Sequence, residues 1–352
     1  MRESGATLLQ WTENQRNPAL AFVITPDSVI AVNLGRAQPL SQPRQVWSAL
    51  QSGRDAASVL PALTAFARAW LHPLLGRIPA STRRLILVTN RSLTDVPLEE
   101  LPLPDGRALA DRWPLSQTPS ASVLLLLQRR PAASSGMSVW ADPALARTTL
   151  DTIGQRAGDA VRDRTRQPLP QARAEARAVA APGARVWMGA EATRARLVEP
   201  ARARDAVLHL ATHTWIDPRD PDAAGLALAG PDGLLTARDI GQLTLPADLV
   251  VLSSCASAEG VEMRGEGVFG LPRAFLLAGT RSVLSTRWPV RDAAARRAME
   301  LFYAGLRAGL PRDEALHRMR AQMVRERYPI RDRAAFMLLG VGHEPVRALR
   351  GR

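Results

Sequence analysis

At 352 residues, 46% of them apolar, the chain is long enough for one large domain or two ordinary ones and has ample material for a core. It has no run of about 18 apolar residues, so no membrane span is expected; a single cysteine rules out an internal disulfide framework and a multi-cysteine zinc site, and fits a reducing, cytoplasmic setting. The formal charge of +13 invites a nucleic-acid reading, but all 46 basic residues are arginine, scattered along a chain with only 5% aromatics, so nucleic acid is not expected as the main partner.

The first residues, Met1-Arg2-Glu3-Ser4-Gly5, lack a basic segment followed by an apolar core, so no signal peptide is expected. Ala19–Thr25 and Ser28–Leu34 are β-rich runs around Pro26-Asp27, a hairpin turn. Residues 54–75 change to helical spacing, with Leu60, Leu63, Phe66, Ala67, Trp70 and Leu71 on one apolar face. Arg84–Asn90 is a nearly continuous apolar run, which suits an interior strand covered on both faces. Val96–Pro102 reads as a turn or short helix. The Ser120–Leu127 run is a strand or the start of a helix, because period alone does not decide between them.

Arg129–Gly136 combines Pro, Ser and Gly without apolar period and is the best candidate boundary, separating 1–133 from 134–352. Met137–Ala141 is a short strand. Residues 143–168 are polar and Arg-rich and read as a mobile loop, open to processing. Gln171–Ala180 is a helix by propensity, and Ala184–Met188 a strand. Residues 225–229 and 231–235 form a strand–turn–strand around Pro231-Asp232-Gly233. Arg281–Thr286 is a strand, helices follow over about 291–308 and 312–327, and Ala334–Gly340 closes the domain as a strand. Strands and helices alternate in both halves, the pattern of an α/β sheet.

Two runs end on reactive side chains: Leu208-His209-Leu210-Ala211-Thr212-His213, and Val250-Val251-Leu252-Ser253-Ser254-Cys255, with the chain's only cysteine. In open parallel sheets reactive groups gather beyond the carboxyl ends of strands. If the two runs are neighbours, His213 and Cys255 meet there as base and thiol nucleophile. The amides of Thr214 and Cys255 are the candidate donors to an oxyanion. A cysteine ending a Val-Val-Leu run also fits a buried small hydrophobe. His209 shares a strand face with His213, but a metal site lacks a third ligand, so no metal or other cofactor is expected.

A longer series of motifs bears on this choice. After the two runs come Gly265-Glu266-Gly267-Val268-Phe269-Gly270-Leu271-Pro272-Arg273 and Leu284-Ser285-Thr286-Arg287-Trp288-Pro289. Upstream stand Pro97-Leu98-Glu99-Glu100-Leu101, Thr118–Val123 and Leu169–Ala176; downstream, Ala335–Gly340. In this order they resemble the CHAT family of caspase-like and separase-like proteins, over about residues 20–345. The resemblance implies caspase-like sheets flanked by helices, with a degenerate N-terminal half before a catalytic half. It implies a cysteine endopeptidase with His213 as base and Cys255 as nucleophile. Trp288 falls on the substrate-pocket wall. Asp292 falls on an acidic position that suggests a basic side chain before the scissile bond; it also suits a helix N-cap.

Thr214 stands where the family usually has Gly, which puts the oxyanion geometry in question. A non-catalytic CHAT scaffold that binds partner proteins is therefore the alternative. The chain lacks the helical repeats that often accompany this domain, so a separate protein partner, or cleavage within 143–168, is expected to regulate it. By analogy with bacterial relatives, the substrate is expected to be a protein in a defence or cell-death system.

Overall fold

The computed structural model describes residues 1–14, 17–35, 56–89, 93, 96–132, 135–199, 205–217, 220–253 and 266–350. Three N-terminal strands come first: β1 (Ala6–Asn14), β2 (Asn17–Ile24) and β3 (Val29–Asn33). The turn at Pro26-Asp27 joins β2 to β3 as an antiparallel pair with Ile24 opposite Val29. Helix α1 (Ala56–Trp70) follows, then β4 (Arg84–Val88) and β5 (Leu115–Gln117). The ambiguous run after Ser120 is helix α2 (Ala121–Arg129). Ser120 decides it, because its side chain accepts a hydrogen bond from Val123 N and so caps the helix.

Strand β6 (Ser135–Pro143) leads into helices α3 (Arg147–Ala157) and α4 (Asp159–Thr165). The polar stretch 143–168 therefore carries two helices where its composition suggested a loop. Ile153 and Val161 anchor them against Trp215, and so few apolar residues leave little periodic signal. Helix α5 (Pro170–Val179) and strand β7 (Arg185–Gly189) come next, then β8 (Asp205–Ala211), β9 (Thr214–Asp217), β10 (Asp220–Ala227) and β11 (Leu234–Thr236). Beyond these stand, among shorter helices, α6 (Ala237–Gly241), β12 (Leu249–Leu252), α7 (Glu266–Leu277), β13 (Ser282–Thr286), α8 (Asp292–Arg307), α9 (Arg312–Arg325) and β14 (Phe336–Gly340).

Eleven of these strands form one sheet, in the order β3-β2-β1-β4-β5-β14-β13-β12-β8-β6-β7. It is the α/β architecture expected from the alternation of elements. The closing strand β14 lies inside the sheet: it runs parallel to β5 through Leu339 opposite Gln117, and antiparallel to β13. Early and late segments of the chain thus share one sheet. Gly340 ends β14 with φ +100°, and a Cβ there would lie 2.3 Å from Arg281 O, so only glycine fits.

Inner strands are apolar on both faces because both are covered. In β4, Leu85 and Leu87 face one core while Ile86 and Val88 face the other. In β12, Leu249 and Val251 divide from Val250 and Leu252 in the same way. Helices α1, α5, α8 and α9 fill the first core; α2, α6 and α7 fill the second. In α1 Val59 lies on the buried stripe, and Leu60, expected on that stripe, is 51% exposed. A separate sheet, β11-β10-β9, lies under α3 and α4.

Candidate active site

Toward one edge of the large sheet, next to the terminal strand β7, lies the parallel group β12-β8-β6. Leu252 pairs with Leu210, and Ser253 N donates to Leu210 O at 3.0 Å, so β8 and β12 run in step to their carboxyl ends. His213 lies just past the end of β8 and is 3% exposed. Its backbone is fixed from β10: Ala227 N donates to His213 O at 2.9 Å, and the Thr212 hydroxyl donates to Ala227 O. Cys255 lies outside the described residues, with Ser253 the last described residue before it.

Among the described residues the His213 ring makes one hydrogen bond, from Nε2 to the carbonyl oxygen of Gln167 at 2.8 Å. A carbonyl only accepts, so Nε2 carries the proton. Nδ1 is then the unprotonated nitrogen, and it is buried without a hydrogen-bond partner among the described residues. Burial pushes the His213 pKa below the usual imidazole value; the Gln167 carbonyl and the carboxylates of Asp142 and Asp292 oppose that shift. Burial thus favours the neutral ring, and among the described residues Nδ1 is left as a basic nitrogen without a partner, which is what a proton acceptor needs.

Asp142 was not singled out from sequence. It stands near the end of β6, beside the Ala141–Ala211 pair that joins β6 to β8. Its φ is +45°, left-handed and unusual for a residue with a side chain. It is 8% exposed, and its carboxylate accepts from Leu169 N at 2.7 Å and from Arg173 Nε. Asp142 thus holds the start of α5, directly after the carbonyl that binds His213.

His209 is a core residue. Nδ1 lies 3.1 Å from the Tyr303 hydroxyl and Nε2 lies 2.9 Å from Glu175 Oε1, so both ring nitrogens have close polar neighbours on α8 and α5. Among the described residues no group of three or more His, Cys, Asp or Glu could hold a metal ion.

Thr214 opens β9 opposite Leu226, and its φ lies outside the left-handed region, so the residue found in place of Gly bears no backbone strain. Trp288 is 2% exposed, with its indole N–H donating to Arg331 O at 2.6 Å. It packs in the first core, two residues past the end of β13. Asp292 is the first residue of α8 and is exposed; the N-cap position belongs to Arg291. Asp292 is close enough to act electrostatically on His213.

Glu99, in the Pro97–Leu101 motif, also has a role that sequence did not show. Its buried carboxylate accepts from Arg287 Nη2 at 3.0 Å and from Arg320 Nη2 at 2.8 Å. Neighbouring Glu100 accepts from Arg333 Nη2 at 2.9 Å. Arg287 directly precedes Trp288, so the early motif is clamped to the base of the segment that leads to Asp292. The partners are far apart in sequence, which left only the acidic pair itself as a signal.

The CHAT domain family matches residues 60–341, most of the chain. This protein belongs to the CHAT domain family. Curated relatives include tetratricopeptide repeat protein 28 of Homo sapiens and of Mus musculus, each 43% identical over 83 residues, or 24% of this chain. The matched region spans only 3% of either relative. Among solved structures, the separase–securin complex of Saccharomyces cerevisiae is similar with a TM-score of 0.48 and 19% identity, covering 74% of this chain and 16% of that one. The complex of Porphyromonas gingivalis RgpB pro- and mature domains has a TM-score of 0.47 and 11% identity, covering 88% and 77%. Among the described residues no helix is long and apolar enough to cross a membrane.

Proposed function

We propose that this chain is a cysteine endopeptidase of the CHAT type, with Cys255 as nucleophile and His213 as base. The observation that carries the reading is the state of His213: buried, with Nε2 committed to Gln167 O and Nδ1 left as a bare acceptor. It stands just past the end of β8, the strand next to the one that leads to the only cysteine. Cys255 also follows Leu252 by as many residues as His213 follows Leu210, and those two leucines are paired.

The chemistry follows from these groups. Nδ1 takes the thiol proton, and the thiolate attacks the carbonyl carbon of the scissile peptide bond. The oxyanion of the tetrahedral intermediate is held by amides, for which Thr214 and Cys255 are our candidates. Protonated His213 returns its proton to the leaving amine, the C–N bond breaks, and a thioester remains. His213 then deprotonates a water that hydrolyses the thioester and frees the thiol. Asp292, exposed and negative, favours an Arg or Lys side chain before the scissile bond, beside a wall supported by Trp288.

The substrate is a protein, and a protein partner regulates access to the site. We assign residues 1–133 to the non-catalytic half and 134–352 to the catalytic half, acting in the cytoplasm; the bacterial defence role rests on family analogy. The test is turnover of a peptide library rich in Arg and Lys, with Cys255→Ala beside the wild type. Cleavage that the substitution abolishes supports the peptidase. No cleavage, together with no labelling of Cys255 by an electrophilic peptide, favours the non-catalytic scaffold.

A further inference from the structure

We propose that Asp142 is a positioning residue that holds His213 in a single tautomer by fixing the backbone of residues 167–169. The inference rests on the peptidase reading for its consequence, but the tautomer can be measured whether or not the protein cleaves anything. Three observations converge. Asp142 has φ +45°, a conformation that costs an L side chain energy and persists only where surrounding contacts over-determine it. Its two carboxylate oxygens are both used, Oδ1 on Leu169 N at 2.7 Å and Oδ2 on Arg173 Nε, so one side chain ties both the entry and the second turn of α5 to the end of β6. The carbonyl that accepts from His213 belongs to Gln167, two residues before Leu169, too short a length of chain for one to move freely of the other.

The consequence is chemical. With Gln167 O in place, the proton stays on Nε2 and Nδ1 remains the acceptor. Without that anchor, the carbonyl that selects the tautomer is free to shift, and the proton distributes over both nitrogens. A substitution at Asp142 would then weaken the base without touching it. A residue that only stabilised the fold would lower the melting temperature and leave the tautomer of the folded protein as it was.

The experiment is ¹⁵N NMR of the imidazole nitrogens in the full chain labelled at histidine, above the His213 pKa, with His213→Gln used to assign its signals. Asp142→Gly removes the carboxylate while accepting the left-handed backbone. Asp142→Asn keeps an acceptor for Leu169 N and loses the charge facing Arg173. We expect the wild type and Asp142→Asn to show one protonated Nε2 and one bare Nδ1, and folded Asp142→Gly to lose that pattern. Retention of the wild-type pattern in Asp142→Gly overturns the proposal. Should Asp142→Gly fail to fold, Asp142→Ala decides: loss of the single-tautomer pattern in that folded variant supports the proposal, and its retention contradicts it. Loss of the pattern in an otherwise inactive protein leaves the assignment of Asp142 standing while the peptidase reading falls.

Discussion

His213 Nε2 donates to the backbone carbonyl of Gln167 at 2.8 Å, so the partner that orients the candidate base is a peptide group and not a side chain. A carbonyl carries no titratable proton and keeps this role at every pH. The ring's basicity is lowered by burial and raised by that same carbonyl and by the carboxylates of Asp142 and Asp292.

That arrangement fixes the sign of a pH effect on stability. Burial lowers the pKa of His213, and also those of His317 and His343. The unfolded chain therefore binds more protons than the folded one as the pH falls through the ordinary histidine range, and folding weakens there. The contribution is fully present above the unfolded value, and it is lost from there down to the depressed folded values. Urea unfolding at pH 7.5 and 5.5 should show lower stability at the acid end, and His317→Gln should reduce the difference. Glu100, whose pKa burial raises, acts in the opposite direction, so the histidine variant is the decisive comparison.

Glu99 supplies the carboxylate between two buried guanidinium groups, Arg287 and Arg320. Glu99→Ala leaves both without that partner in the core, a loss of about 3–5 kcal/mol. Denaturant unfolding measures it. A loss under about 1 kcal/mol, as for an ordinary surface change, would show that the clamp is not structural.

Asp292 makes a narrower prediction. It is exposed at the start of α8, so Asp292→Asn should cost little stability, about 0.3–1 kcal/mol from the lost charge at the helix N-terminus. Cleavage after Arg or Lys should fall about 10–100-fold in kcat/KM, the worth of one charge-assisted contact, while turnover of neutral sites stays level. An unchanged preference for basic residues would remove Asp292 from substrate recognition.

At Gly340, alanine would bring a Cβ within 2.3 Å of Arg281 O at a φ of +100°. Gly340→Ala should lose roughly 3 kcal/mol or fail to accumulate as folded protein. A melting temperature within a degree or two of wild type would contradict the packing described between β13 and β14.

Nearly continuous apolar runs made β4, β8 and β12 legible, because a strand covered on both faces shows its burial in almost every residue. The α1 helix was legible in kind but not in detail, since Val59 and Leu60 serve a helical period almost equally well. The helices of 143–168 were hidden because a small satellite core needs few apolar side chains. The location of His213 at a strand end was readable. Its environment was not, because a carbonyl acceptor such as Gln167 O leaves no mark in the residue type. Asp142 and Glu99 were illegible for a related reason: their roles depend on strand pairing and on partners distant in sequence, and an isolated acidic residue resembles any other.

The central claim is that His213 activates Cys255, and the rate of Cys255 alkylation by iodoacetamide as a function of pH tests it without a substrate. We expect the wild-type thiol to react well below the ordinary cysteine pKa of about 8.5, and His213→Gln to move the profile back toward that value. Superimposable profiles in the two proteins would contradict the account.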